Sequence, residues 1–205
     1  YADITTRAYG LGFFYEKLDY KLNPRKGISF SLNGSAGSRL IKKNAKLNEI
    51  IYNGVKLNTS QYQGEVEVFG YIPLFKKATI KLGTQAATVI SDQVFKNELF
   101  RIGGLKTLRG FDEESIFAST YAIGTFEYRY LLDENSAVFL FSDAAIYEKS
   151  FVGGYLKDIP YGVGAGMSFE TKAGIFSLSY ALGKQFNNPL DIRSGKIHFG
   201  IVNAF

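Results

Sequence analysis

The sequence contains no cysteine and no tryptophan, and only one methionine, one histidine and four prolines in 205 residues. Without cysteine there is neither a disulfide framework nor a thiolate metal site. With one histidine, a histidine-based catalytic triad could use only His198 on the last segment. No run of about 18 apolar residues occurs, which excludes a transmembrane helix. Tyr1-Ala2-Asp3 is not a basic n-region leading into an apolar core. An exported protein of this sequence is expected to have lost its signal or to carry it upstream. The net charge of +5 is modest and the lysines are scattered, with short pairs such as Lys42-Lys43 and Lys76-Lys77. That weighs against a basic stripe for nucleic acid.

What is present is aromatic and alternating. There are 14 Tyr and 18 Phe, and the hydrophobic period is two rather than 3.6. In segment 27–37, Ile28, Phe30, Leu32, Gly34 and Ala36 oppose Ser29, Ser31, Asn33, Ser35 and Gly37. Segments 59–72, 77–88, 120–131, 136–147, 160–170, 174–183 and 195–205 alternate in the same way, and a weaker, glycine- and aromatic-rich segment covers 7–17. These nine candidate strands approach the roughly 9–11 residues that cross a bilayer as tilted β-structure. The connections around 23–27, 72–76, 133–135 and 171–173 are tight, whereas those around 41–58, 89–119, 148–159 and 184–194 are long. Short turns on one side and long loops on the other are the plan of an outer-membrane barrel. A soluble barrel or sandwich is the competing fold, although its strands would average nearer five or six residues. Single-chain bacterial barrels usually have even strand numbers. Nine strands with two open edges therefore imply further N-terminal strands, because unpaired backbone in lipid costs several kcal/mol per group.

The longest connection, 89–119, contains Phe100-Arg101-Ile102-Gly103-Gly104-Leu105-Lys106-Thr107-Leu108-Arg109-Gly110-Phe111 and shows no strand pattern. Its apolar residues need burial, its glycines permit tight turns, and Arg109 needs an anion. Strand parity places Glu127, Arg129 and Asp143 on the lumen face. An inward-folded loop would bring Arg109 to those carboxylates as charge-assisted, bidentate bonds.

Gly103-Gly104 followed by Leu108-Arg109-Gly110-Phe111 resembles the sixth-loop motif of the BamA/TamA-type superfamily of outer-membrane assembly and secretion barrels. Gly124-Thr125-Phe126-Glu127-Tyr128-Arg129 resembles that family's G-x-x-E-x-R strand. Phe141-Ser142-Asp143-Ala144-Ala145 resembles its F-x-D-x-G strand, with Ala145 in place of the glycine against which Phe111 would pack. The resemblance implies a sixteen-strand barrel of which residues 1–205 supply the C-terminal nine strands. It also implies that Arg109 pairs with Glu127 and Asp143. His198, Gly200 and Phe205 resemble the C-terminal signal read by the assembly machinery, with Asn203 at a position that signal keeps apolar. The same strand would form one lip of a seam between the first and last strands.

No catalytic constellation, cofactor site or metal site emerges. Asp112-Glu113-Glu114 could bind a divalent cation, but a solvated acidic turn accounts for it. Gly162, Gly164 and Gly166 alternate along one strand face and lack the helix of a phosphate loop; they are expected to leave room in the lumen. The resemblance implies protein insertion or translocation in the bacterial outer membrane. Its partners would be the lipid bilayer, client outer-membrane or secreted proteins, and periplasmic domains or accessory lipoproteins. A barrel anchoring an N-terminal patatin-like lipase and a passive porin are the alternatives.

Overall fold

A computed structural model describes residues 3–21, 23–42, 54–171 and 174–202. Phe205, Asn203, Lys43 and most of the connection 41–58 lie outside them. The fold is all-β. The strands are β1 (Asp3–Leu18), β2 (Gly27–Lys42), β3 (Asn58–Phe75), β4 (Ala78–Ser91), β5 (Phe100–Ile102), β6 (Ile116–Ala118), β7 (Thr120–Leu131), β8 (Ala137–Phe151), β9 (Gly154–Asp158), β10 (Tyr161–Thr171), β11 (Gly174–Lys184) and β12 (Lys196–Val202). One antiparallel sheet runs in the order β1-β2-β3-β4-β7-β8-β10-β11-β12, with β9 paired to β8. β1 and β12 are its edges, so the sheet of described residues does not close on itself.

The alternation decides which side faces where. Ile28, Leu32, Tyr62, Ile72, Leu82, Phe126, Leu140, Met167, Leu178 and Phe199 lie on the outer face and are exposed. Such an apolar outer band is stable only against lipid or another apolar surface. The inner face carries the polar partners in register, for example Ser31 opposite Glu67 and Thr125 opposite Asp143.

Several strands outrun their expected bounds. β2 continues to Lys42, β3 to Phe75 and β4 to Ser91, so these strands have 16, 18 and 14 residues. At the far end of β2 the inner face meets the connection between β4 and β7, as at Arg39 with Glu98, so alternation fades while ladder hydrogen bonds continue. The expected turn 72–76 is mostly strand; a register shift at Pro73/Phe75 accommodates the missing proline N–H. The expected long loop 148–159 is instead a β8–β9 hairpin, in which Tyr147 to Phe151 pair with Asp158 to Gly154. β9 and β10 are separated by Ile159-Pro160, whose proline carbonyl accepts from Ala145 N–H at 2.8 Å. The expected tight turn 23–27 is a longer connection, 19–26. It is gathered by Asp19 Oδ1, which accepts from the Tyr20, Arg25 and Lys26 N–H groups at 3.0, 2.9 and 3.0 Å. Burial pushes that carboxyl up, but the three donors outweigh it and leave its pKa below the ordinary value.

Candidate functional site

The connection between β4 and β7 folds onto the inner face of the sheet. It is not devoid of strand, as its sequence had suggested. After a 3-10 turn at Lys96–Glu98 it forms a ribbon, β5 with β6, pairing Phe100 with Ala118 and Ile102 with Ile116. Residues 103–115 form the ribbon's tip. Gly103, Gly104 and Gly110 have φ of 114°, 95° and 97°, a region that favours glycine. The tip is tied by Gly104 N–H to the Leu108 carbonyl at 3.0 Å and by Gly103 N–H to Thr107 Oγ1 at 2.8 Å. Leu108, Ile102, Ile116 and Ala118 are buried with Ile123, Ala145 and Tyr147 of the wall, and Phe111 and Tyr121 pack against them. Ala145 thus sits in the same cluster as Phe111.

This packing delivers Arg109 to the wall. Arg109 Nε donates to Asp143 Oδ2 at 2.7 Å and Nη2 to Asp143 Oδ1 at 2.8 Å, a two-point fork. Nη1 donates to Glu127 Oε2 at 2.6 Å, and the Arg109 backbone N–H adds a bond to Asp143 Oδ2 at 3.2 Å. The guanidinium lies 3.5 Å from the centroid of the Phe141 ring. Arg109 is 7% exposed, Glu127 2% and Asp143 0%. At such burial an unpaired charge is costly, and planar geometry with every oxygen engaged is what makes the cluster tolerable.

The cluster continues toward the short-turn rim. Glu127 Oε1 accepts from Arg129 Nε, and Arg129 Nη1 donates to Asn23 Oδ1 at 3.2 Å. Asn23 Nδ2 in turn donates to the Glu134 carbonyl at 3.2 Å. The turn 19–26 therefore reaches past β3 and β4 to the β7–β8 turn. No local sequence signal marks that contact.

Glycines make the seat. A Cβ on Gly162 would fall 1.9 Å from the Arg109 carbonyl oxygen, and one on Gly183 2.3 Å from the Gly110 carbonyl oxygen. Gly162 and Gly183 are cross-strand partners. The loop backbone lies over this pair. Gly164 and Gly166 do not leave empty lumen; a Cβ on either would fall 2.6 or 2.5 Å from the ring of its partner on β8, Phe141 or Phe139.

β12 meets the same loop at three successive inward positions. Lys196 Nζ pairs with Asp112 at 2.8 Å. Gly110 N–H donates to His198 Nε2 at 3.0 Å, which fixes a neutral imidazole protonated on Nδ1. The Leu105 side chain lies over Gly200, where a Cβ would fall 2.4 Å from it. The three acidic residues of the tip have separate partners: Asp112 with Lys196, Glu113 with the Leu105 N–H at 3.2 Å, and Glu114 with Arg101 at 3.4 Å. Among the described residues no group of three or more metal-ligating side chains converges.

The structure therefore brings together Arg109, Gly110, Glu127, Asp143 and His198, with Phe111 and Gly200 at the margins of the same contact. Phe141, Gly162, Gly183, Lys196, Arg129 and Asn23 complete the site; of these, parity had assigned Arg129 to the lumen, and Gly162 had been expected there as vacant space rather than as a seat for the loop. Inward-facing glycines in register on adjacent strands are the signal that could have located the seat.

Comparison with protein families and with curated proteins gives one result of each kind. No curated protein matches the chain. The family description "Omp85 superfamily domain" matches residues 2–205, nearly its whole length. The chain belongs to the Omp85 superfamily, whose members are outer-membrane barrels for protein assembly and transport.

Proposed function

We propose that this chain is the C-terminal portion of a sixteen-strand outer-membrane barrel that inserts or translocates other proteins, and that Arg109 locks the loop 92–119 against its inner wall. The observation that carries this reading is the buried fork of Arg109 on Asp143 with its third bond to Glu127. A solvated connector needs no such anchor, and a passive pore is not served by a loop seated across its wall. In this reading the lock fixes the lumen shape. β12 is one lip of a seam where a client strand adds by main-chain hydrogen bonding. The bilayer, client outer-membrane or secreted proteins, and periplasmic domains or accessory lipoproteins are the partners.

The test reconstitutes the full-length protein in liposomes and follows insertion of a client barrel with the parent and with Arg109→Ala. Loss of insertion with the barrel still folded is the expected result, whereas unchanged insertion removes the lock from the mechanism. Conductance distinguishes the porin: a large conductance unchanged by deleting 99–111 favours it.

A further inference from the structure

The loop is anchored a second time, by residues outside the Arg109 cluster. Arg39 lies on the inner face of β2 near the long-loop end, with its side chain wholly buried. Its Nη1 donates to Glu98 Oε2 at 2.7 Å and also to the Gln93 carbonyl. Its guanidinium faces the Phe95 ring, 5.4 Å from the centroid. Glu98 Oε2 also accepts from the Phe95 N–H at 2.8 Å. One carboxylate therefore closes the 3-10 turn and receives the wall's arginine. Beside it Val94 and Leu99 of the loop are buried with Val89, and Phe100, Phe117 and Phe151 pack against them. The polarity is the reverse of the Arg109 site: here the wall supplies the cation and the loop supplies the acid.

The two anchors use different partners. Arg39 holds residues 93–98 to β2. Arg109 and its neighbours hold residues 105–112 to β7, β8 and β12, and β3 and β4 lie between β2 and β7 in the sheet. Regions that share few contacts open separately, and a buried guanidinium strongly favours the state in which its carboxylate is present. We propose that Arg39 and Glu98 form a second lock, independent of Arg109, that keeps the outer limb of the loop (92–99) on the wall when the inner limb is released. The inference rests on the proposed function only in taking the loop to occupy the barrel interior. What it adds is that this plug leaves in two steps.

These 205 residues contain no cysteine, so single-thiol reporters are clean once any cysteine elsewhere in the full-length protein is replaced. Leu99→Cys reports the outer limb and Leu108→Cys the inner limb; both leucines are buried. Each would be placed in the full chain in liposomes, and its labelling by a charged maleimide compared in parent, Glu98→Gln and Arg109→Ala backgrounds. Glu98→Gln keeps an oxygen for the Phe95 N–H and removes only the charge. It is expected to raise labelling at 99 by about tenfold while leaving 108 within about twofold, and Arg109→Ala is expected to do the reverse. Arg39→Lys, which keeps the charge, is the second variant and should follow the Glu98→Gln pattern more weakly. An equal rise at both sites with Arg109→Ala overturns the inference, because the loop is then one unit. An unchanged rate at 99 in both Glu98→Gln and Arg39→Lys overturns it as well. Client insertion measured on the same vesicles separates the two readings. Unchanged insertion with Arg109→Ala sinks the proposed function while the two-limb labelling pattern stands.

Discussion

The inner faces of β2–β3 and of β7–β12 begin from the same alternation and end differently. Along β2 and β3 the inward residues Ser31, Asn33, Gln63, Glu65 and Glu67 are small or polar and half-buried or exposed. Their carboxylates are met by glutamines, Gln63 on Glu65 at 2.9 Å and Gln85 on Glu67 at 3.1 Å. Along β7 and β8 the inward residues Ile123, Glu127, Phe139, Phe141, Asp143, Ala145 and Tyr147 are buried. The outer faces of both regions are alike and apolar, so lipid does not explain the contrast. The loop does. Where it lies on the wall, the wall needs a fork for its arginine, glycines for its backbone and rings for its flanks. Where it does not, hydroxyls and amides suffice.

That contrast can be broken in graded steps. The largest effect is expected from Arg109→Ala, which leaves Asp143 buried without its cation and Glu127 with Arg129 alone; unfolding by urea in vesicles should show a loss of about 3–5 kcal/mol. Gly162→Ala pushes a methyl into the Arg109 carbonyl and should cost about 1–3 kcal/mol by the same assay, the cost of overpacking a close contact. His198→Ala removes the acceptor that Nε2 offers the buried Gly110 N–H and should cost about 1–3 kcal/mol, at the lower end if a water enters. Ser31→Ala on the open wall should change stability by no more than about 0.5 kcal/mol. If Ser31→Ala were as damaging as Gly162→Ala, the two walls would not differ in the way described.

Much of this was legible because β-structure has a strict period. Once Phe126, Tyr128 and Tyr130 point outward, Glu127 and Arg129 must point inward, and the same parity on the next strand turns Asp143 inward; its register opposite Thr125 comes from the structure. Arg109 followed from an arginine beside glycines in a segment too apolar to be left in water. Other features were not legible, each for a physical reason. The β5–β6 ribbon has three residues per strand, too few for a period to show. Arg39 sits beyond Gly37, where outward Leu40 and inward Ile41 are both apolar because the loop covers the inner side, so alternation no longer marks a strand. Asn23 reaches Arg129 and Glu134 across more than a hundred residues of chain, and such a chord leaves no local trace. Gly164 and Gly166 looked like vacant lumen because the rings that fill them belong to β8.

The central claim is that the loop is held to the wall by Arg109 acting on Asp143. A double-mutant cycle of Arg109→Ala and Asp143→Ala, with unfolding free energies measured on the full-length protein in vesicles, tests it most directly. A coupling energy of at least about 2 kcal/mol is expected for groups that share a buried two-point fork. Additive losses, with coupling below about 0.5 kcal/mol, would show that the two residues act apart and would contradict the lock.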